Sequence, residues 1–325
     1  MSPERSASAA TPEALDVGEA WSLVRALAAH AAAAAQGVGQ AYAFVDGALR
    51  RVPADDPGVV VRWLPATGWQ AALPAARADA ALVDLYLPIC AGCAARPLTV
   101  GHLGQSLDGF IATHSGDSQF VTGEENLRHM HRMRALSDAV IVGAGTVAAD
   151  DPQLTTRQVS GPSPVRVVID PMRRLAPTYR VFQDEAAPTL YVCGRGRLGR
   201  GEHFVGAADV LGVGEGPGGL DLAELVDHLH ARGCARLFVE GGGVTVSAFL
   251  AAGLLDRLHV AVAPFLIGAG RPAIRLPAPD LLRECARPRH RVFRMGTDVL
   301  FDCDLSAEDD RPRGGGSGPS IARVL

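Results

Sequence analysis

Short apolar runs alternate with amphipathic stretches throughout the part of the chain that follows residue 95. The apolar runs have the length and the branched-chain composition of buried strands, and they cover residues 98–103, 139–142, 165–169, 189–193, 236–239, 258–263 and 299–305. Helical patterns lie between them, at 123–136, 220–231 and 243–252. Strands interleaved with helices are typical of an α/β domain with a mostly parallel sheet, and we predict this class for residues 96–305.

Residues 13–95 have another pattern, which predicts a small α+β appendage. A helix over 20–35 would carry Trp21, Val24, Leu27 and Ala28 on one face. A hairpin over 42–52 would turn at Asp46-Gly47, a dipeptide that favours a type I′ turn. We predict a strand at 59–63 and a helix at 75–87. Residues 1–12 and 306–325 have the composition of disordered ends.

Composition excludes several classes of function. The chain has 325 residues, is 48% hydrophobic and carries a formal net charge of -4, which gives no electrostatic footprint for nucleic acid. It shows neither an apolar run of about 18 residues nor the apolar core of a secretory signal. Its six cysteines are scattered, and Cys90-x-x-Cys93 has no second pair with metal-ligand spacing. We expect a cytoplasmic protein that needs no metal and has no membrane partner.

The run over 139–157 contains Gly143-x-Gly145-x-x-Ala148, a match to a dinucleotide-binding fingerprint. That motif needs a long helix after the glycine turn. Here Pro152 stops the helix after about two turns, and a connection that short is expected not to return the chain to a parallel strand. The glycine turn can still bring backbone N–H groups close to a phosphate.

A second glycine turn, Glu240-Gly241-Gly242-Gly243, follows one predicted strand and opens a predicted helix. Two interpretations stay open. The helix N-terminus can bind an anion, or the glycines can serve a tight turn that needs positive φ.

Other local patterns predict structure rather than chemistry. Asp108-Gly109 favours a hairpin turn, Thr122 with Glu125 forms a capping box, and Arg128 with Arg132 fits a solvated helix face. The glycines and arginine at 268–271 predict a loop that lines the cleft.

Several segments, in this order, resemble one family. They are SLDGFIAT (106–113), GDSQFVT (116–122), HRMRALSDAVIVGAGTVAADDPQLTTR (131–157), PVRVVIDP (164–171), FVEGGG (238–243) and APFLIGAGRP (263–272). This set resembles the reductase domain of the bifunctional riboflavin-biosynthesis deaminase/reductase, which has a dihydrofolate-reductase-like fold. The combination of GxxTVxxDxPxLTxR with a later EGG is more specific than either part.

The resemblance implies a pyrimidine reductase that uses NADPH to convert a ribosylaminopyrimidine 5′-phosphate to its ribitylamino form. The type is a 5-amino-6-(5-phosphoribosylamino)uracil reductase, and a homodimer is implied as well. The implied substrate contacts are Ser118, Arg134, Leu154, Arg157 and Glu240. The implied cofactor contacts are Gly104, Phe120, Thr146, Asp150, Gly242, Gly243, Val244 and Thr245. Asp150 and Glu240 would be the catalytic carboxylates, and Arg134 with Arg157 would clamp the phosphate.

The chain departs from the family in three places. The region before residue 96 has neither the His-x-Glu nor the Pro-Cys-x-x-Cys of the zinc deaminase, so we expect no deaminase activity. His102 stands where many relatives carry lysine, and Pro171 replaces a small polar residue that often touches the cofactor. Two alternatives stay open: a reductase of the same fold acting on a related pyrimidine or pteridine in secondary metabolism, and a nonenzymatic nucleotide-binding member.

Overall fold

The computed structural model describes residues 17–36, 39–72, 80–119, 121–216 and 219–308, and these residues form two compact units. The chain divides between Arg96 and Pro97. The end segment 1–12 and most of 306–325 lie outside the described residues, as do residues 75–79 of the predicted second helix. Each unit is described by itself.

The first unit is a four-stranded antiparallel sheet with two helices, in strand order β2-β1-β3-β4. Its elements are α1 (Val17–Ala34), β1 (Gln40–Val45), β2 (Ala48–Val52), β3 (Val59–Leu64), β4 (Gly68–Ala71) and α2 (Ala80–Cys90). The hairpin at Asp46-Gly47 is confirmed, with φ of 51° and 75° at its two central residues. Both are positive, as a type I′ turn requires.

The second unit contains one large mixed sheet. Its helices are α3 (Glu124–Leu136), α4 (Ala144–Asp150), α5 (Arg180–Gln183), α6 (Leu222–Ala231) and α7 (Gly243–Ala251). Its strands are β5 (Leu98–Ser106), β6 (Phe110–Thr113), β7 (Ala139–Gly143), β8 (Val165–Ile169), β9 (Thr189–Gly194), β10 (Phe204–Val205), β11 (Ala208–Val213), β12 (Glu215–Gly216), β13 (Gly219–Leu220), β14 (Arg236–Val239), β15 (Arg257–Ala263), β16 (Gly270–Pro272), β17 (Pro288–Met295) and β18 (Asp298–Glu308).

The strand order in the large sheet is β10-β11-β9-β8-β7-β14-β5-β15-β18-β17. Every pairing from β11 to β15 is parallel, while β10, β18 and β17 pair antiparallel at the two sides. In β7 the residues from Ala139 to Val142 are all fully buried, because a central parallel strand is covered on both faces. The predicted α/β class with a mostly parallel sheet is therefore confirmed.

The structure corrects four local predictions. The residue at the N-cap of α3 is Gly123, not Thr122, and no side chain caps it; its N–H donates to Asp298 Oδ2 at 2.7 Å. Asp108-Gly109 does not close a hairpin, since β6 pairs with β16 rather than with β5. Arg132 is buried, not on a solvated face. Strand β18 continues to Glu308, three residues into the segment 306–325 expected to be disordered.

A fifth correction concerns the connection after β7. Helix α4 ends at Asp150, about where proline was expected to stop it. The chain nevertheless enters β8, which pairs with β7 in parallel. The irregular segment 151–164 returns the chain to the start of the next strand, so a long helix is not needed there.

A row of buried polar side chains crosses one side of the sheet. His102, His259 and Asp302 are paired across β5, β15 and β18, and neighbours in register point to the same face. His259 Nε2 lies 3.2 Å from Asp302 Oδ1. From α3, His129 Nε2 lies 3.1 Å from His259 Nδ1, and Asn126 Oδ1 lies 3.0 Å from His102 Nε2. The row therefore ties α3 to three strands through polar contacts.

The pKa values of two of these imidazoles, His102 and His129, are lowered in the folded protein. Burial, followed by the neighbouring His259, lowers the pKa of His102 to about 3, and the same causes hold the pKa of His129 well below its ordinary value. Burial would raise the pKa of Asp302, but its contact with His259 and the charges of Arg257 and Arg291 lower it overall.

The row makes stability depend on pH. An unfolded histidine titrates at about 6.5, so the unfolded state binds the proton first as the pH falls. Stability is therefore present above about pH 6.5 and lost below it. From pH 7.5 to 5.0, His129 alone accounts for a loss of about 2 kcal/mol in the free energy of unfolding. Urea titrations of His129→Gln at both pH values should give a loss smaller by about that amount.

The control is His114→Gln, at an exposed histidine, which should keep the loss of the unsubstituted protein. Equal losses in the unsubstituted protein and in His129→Gln would contradict the assignment.

Candidate active site

A cleft of about 880 Å³ opens where the central parallel strands of the second unit end. The ends of β7 and β8, the turn after β14 and the ribbon β6–β16 all contribute to its lining. Ligands of open α/β sheets bind beyond the carboxyl ends of the strands. This position makes the cleft the candidate active site.

The turn Gly241-Gly242-Gly243 forms one wall of the cleft, and its glycines are needed for space. A Cβ on Gly241, where φ is 96°, would lie 2.7 Å from Thr146 Oγ1. A Cβ on Gly243 would lie 2.1 Å from the carbonyl oxygen of Ala273. The hydroxyl of Thr146 accepts the N–H of Gly242 at 2.9 Å. The tight-turn interpretation therefore holds for Gly241, and a close approach of backbone explains Gly243.

The same turn also opens helix α7 at the cleft. Helix α7 has Gly242 as its N-cap, with no side chain capping it. The residues of its first turn, Gly242, Gly243, Val244 and Thr245, all line the cleft. Val244 is 69% exposed. A helix N-terminus without a cap, floored by glycines, fits the pyrophosphate of a dinucleotide.

Glu240 and Arg134 form a buried ion pair beneath this wall. Arg134 donates from Nε to Glu240 Oε2 at 3.0 Å and from Nη2 to Oε1 at 2.7 Å. A third N–H, on Nη1, reaches the carbonyl oxygen of Thr155 at 3.3 Å. Both side chains are at most a tenth exposed. Three acceptors of the protein thus engage three of the five N–H groups of the guanidinium. The phosphate clamp of Arg134 with Arg157 stays a prediction.

The loop after α4 brings the remaining predicted residues to this side of the cleft. Asp151 and Leu154 both have positive φ, at 39° and 57°, and Leu154 is 1% exposed. Arg157 donates its backbone N–H to His131 Nδ1 at 3.1 Å and its Nη1 to Thr155 Oγ1 at 2.7 Å. Burial, followed by the charge of Arg134, lowers the pKa of Arg157, although Glu240 acts in the opposite sense. Positive charge is therefore concentrated here.

Asp150 occupies the last turn of α4 and lines the cleft. No side-chain hydrogen bond or ion pair engages it within the described residues. Burial raises the pKa of its carboxyl group. Asp150 is thus a carboxyl group open to a ligand, in contrast to the paired carboxylate of Glu240.

The predicted contacts divide into two groups. Those that line the cleft are Gly104, Ser118, Thr146, Asp150, Gly242, Gly243, Val244 and Thr245. Arg134, Leu154, Arg157 and Glu240 are outside the lining, and Phe120 lies outside the described residues. Arg271 lines the cleft as expected, but it belongs to the short strand β16 rather than to a loop.

Sequence reasoning missed other residues of the cleft. Asn126, Arg174 and Arg275 all line it. Asn126 lies within a run of charged residues on α3, and the two arginines follow strands in irregular segments. None of the three stands in a motif, so the sequence carries no signal for them.

The model of the RibD C-terminal domain matches residues 99–293, which is more than half of the chain. The chain belongs to the RibD C-terminal domain family. The match covers most of the second unit and all of the cleft residues named above.

Relatives of this RibD C-terminal domain include two archaeal enzymes. The 2,5-diamino-6-ribosylamino-4(3H)-pyrimidinone 5′-phosphate reductase of Methanothermobacter thermautotrophicus is 37% identical over 64% of this chain and 97% of its own length. The enzyme of the same name from Archaeoglobus fulgidus is 34% identical over 58% of this chain and 90% of its own length.

A solved structure gives the same family. The diaminohydroxyphosphoribosylaminopyrimidine deaminase/5-amino-6-(5-phosphoribosylamino)uracil reductase of Thermotoga maritima matches with a TM-score of 0.55 and 25% identity. The match covers 69% of this chain and 59% of that one. The expected dihydrofolate-reductase-like fold is confirmed. Among the described residues, every helix is too short or too polar to cross a bilayer.

The buried pair of this domain should matter for stability. Glu240→Gln would leave an uncompensated guanidinium and turn an amide N–H toward it, so we expect a loss of about 2–4 kcal/mol in the free energy of unfolding. Urea titration at pH 7.5 measures it. The matched control is Glu125→Gln, which breaks an Arg–Glu pair at the surface with Arg128 and should cost about 0.5 kcal/mol or less. Similar losses in both variants would contradict the special role of the buried pair.

Proposed function

We propose that this protein is the pyrimidine reductase of the riboflavin pathway, with the 2,5-diamino-6-ribosylaminopyrimidinone 5′-phosphate as its substrate. One observation carries the proposal: two relatives named for this reaction match the chain over nearly their whole length. The deaminated counterpart is the second substrate to test, because the Thermotoga maritima relative is named for it.

The cleft residues fit a nicotinamide dinucleotide. The glycine floor and the N-terminus of α7, which has no capping side chain, suit its pyrophosphate. We propose NADPH as the cofactor, bound along Gly104, Thr146, Gly242, Gly243, Val244 and Thr245. When bound, the cofactor supplies the hydride. The protein contributes binding, orientation and proton delivery.

The substrate needs a proton before it can be reduced. Its ribose ring must open, which breaks the bond from C1′ to the ring oxygen and places a proton on that oxygen. The open form has a double bond between C1′ and the exocyclic nitrogen. Reduction then adds hydride at C1′ and a proton at the nitrogen. A carboxylic acid at the cleft surface can supply such protons.

We assign proton delivery to Asp150 rather than to Glu240. Both oxygens of Glu240 accept N–H groups of Arg134, so that this carboxylate orients its surroundings as an acceptor. Asp150 lines the cleft and burial raises the pKa of its carboxyl group, which favours the protonated form. Glu240 remains the residue proposed to position the substrate, together with Ser118, Leu154 and Arg157.

The substrate phosphate is assigned to Arg157. Arg134 has three of its five guanidinium N–H groups engaged and Arg157 has one, so Arg157 has more donors to spare. Arg180 adds positive charge nearby, since it too lowers the pKa of Arg157.

The function is tested by an assay of NADPH oxidation with the diamino substrate and with its deaminated counterpart. We expect oxidation with the diamino form and a product heavier by two hydrogens in mass spectrometry. Arg157→Ala should raise the KM for this substrate with little change in kcat. Absence of oxidation with both substrates would overturn the proposal.

The role of Asp150 is tested by Asp150→Asn. Loss of a general acid costs about 100-fold to 10,000-fold in rate, so kcat should fall in that range while the KM changes little. The control is the adjacent Asp151→Asn, whose carboxylate accepts the backbone N–H of Arg180 at 2.8 Å. It should keep kcat within a few-fold. An equal loss in both variants, or normal turnover in Asp150→Asn, would remove Asp150 from the mechanism.

A further inference from the structure

Helix α3 carries two buried side chains that hold the loop with Arg157. His131 and Arg134 are three positions apart, so they lie on the same face of the helix. The Nδ1 atom of His131 accepts the backbone N–H of Arg157 at 3.1 Å. The Nη1 atom of Arg134 donates to the carbonyl oxygen of Thr155 at 3.3 Å. One face of the helix therefore fixes the loop at two alternate residues.

The loop is also braced by its own later residues. Thr156 donates its backbone N–H to Ser163 Oγ at 3.1 Å and its hydroxyl to the carbonyl oxygen of Pro162 at 2.9 Å. Gly161 approaches α3 so closely that a Cβ there would lie 2.6 Å from the Cβ of Ala135. The loop thus packs against the helix on both sides of residue 157, and the contact with His131 is the one that fastens this residue itself.

The imidazole of His131 can accept this N–H because it is unprotonated. Its side chain is buried, since His131 is 1% exposed. Burial, followed by the charges of Arg134 and Arg157, lowers the pKa of His131 to about 4, although the carbonyl group of Thr155 acts in the opposite sense. At neutral pH the Nδ1 atom therefore keeps its lone pair, and the ring proton lies on Nε2.

A neutral acceptor suits this position. A lysine or an arginine at 131 could not accept an N–H group. A carboxylate could accept it, but it would also form an ion pair with Arg157 and compete with a phosphate for the guanidinium. The imidazole holds the backbone of Arg157 without this competition. Within the described residues, the guanidinium has one of its five N–H groups engaged, by Thr155 Oγ1 at 2.7 Å.

We propose that His131 is a positioning residue for substrate binding, which fixes the backbone of Arg157 so that its guanidinium meets the 5′-phosphate. This inference rests on the proposed function, because it requires the phosphate of the substrate at Arg157. His131 acts through Arg157 and does not touch the reacting atoms. A binding group that is already held in place loses less conformational entropy when the ligand arrives. Such a contribution appears in the KM and leaves kcat nearly unchanged.

The test is a kinetic comparison of His131→Gln and His131→Asn with the diamino substrate at pH 7.5. The amide oxygen of asparagine can take the place of Nδ1, whereas that of glutamine takes the place of Nε2. His131→Gln should raise the KM about tenfold, which corresponds to one weakened hydrogen bond to a charged group. Its kcat should stay within a few-fold. His131→Asn should restore most of the KM.

A matched control and a double variant separate positioning from general stability. The control is His129→Gln, which alters another buried histidine of α3, one whose Nε2 lies 3.1 Å from His259 Nδ1. It should leave the KM unchanged. In the background of Arg157→Ala, adding His131→Gln should leave the KM unchanged as well, because the guanidinium through which His131 acts is gone. Circular dichroism checks that each variant is folded.

If His131→Gln does not fold, His131→Asp takes its place, and its carboxylate should raise the KM although it keeps the acceptor. An unchanged KM in the folded variant would overturn the inference. Equal increases in His131→Gln and His129→Gln, or a further increase on top of Arg157→Ala, would overturn it as well. In each of these cases the unsubstituted protein would still reduce the substrate, so the proposed function would stand. If the unsubstituted protein oxidises no NADPH with either pyrimidine, both proposals fail.

Discussion

The ion pair between Arg134 and Glu240 is the interaction on which the cleft depends. Arg134 belongs to α3, and Glu240 follows β14 in the centre of the sheet. A third contact of the guanidinium reaches Thr155, so the pair also holds the loop that carries Arg157. Removing either partner would leave the other as an unpaired buried charge. The cost of burying two charges is offset only if the geometry is good, and here three acceptors satisfy one guanidinium.

This pair also affects which arginines of the site are available to bind ligands. Since Glu240 and Thr155 already accept three N–H groups of Arg134, we expect negative groups of ligands to bind mainly to other cations. Arg157 lies in the loop after α4, and Arg174 follows β8 and lines the cleft. The uncapped N-terminus of α7 follows β14, and β7 separates β14 from β8 in the sheet. We therefore propose that Arg157 and the N-terminus of α7 bind the anionic groups of a phosphorylated substrate and of a dinucleotide.

Local patterns predicted the elements well where local chemistry decides the structure. The Asp46-Gly47 turn needs positive φ at two residues, and the Asp-Gly dipeptide by itself favours that conformation. The fully buried residues of β7 form an apolar run because this central strand is covered on both faces. The capping box at Thr122 failed because Asp298, far away in the chain, takes the N–H of Gly123. Arg132 was misjudged because helical spacing to Arg128 does not reveal which face is covered.

The site was predictable only in part, and the division has a physical reason. Glu240, Asp150 and the glycines stand in motifs, and the backbone shape itself requires glycine at 241 and 243. The availability of Arg174 depends instead on what its neighbours are paired with. Arg173 is engaged by Glu202, and Arg195 by Glu224, and both pairings are long-range contacts. No spacing rule in the sequence distinguishes the free arginine from the paired ones.

The run Gly143-x-Gly145-x-x-Ala148 shows how a short helix can replace a long one. In a dinucleotide fingerprint the helix after the glycines carries the phosphate site. Here α4 stops at Asp150, and the phosphate site that we propose lies at α7, whose glycine turn is bonded to α4 through Thr146. The residues that follow Asp150 form a loop in which Asp151 and Leu154 adopt positive φ. Because α4 ends at Asp150, the chain turns there, and the loop carries Arg157 back toward Arg134 and Glu240 instead of continuing as helix.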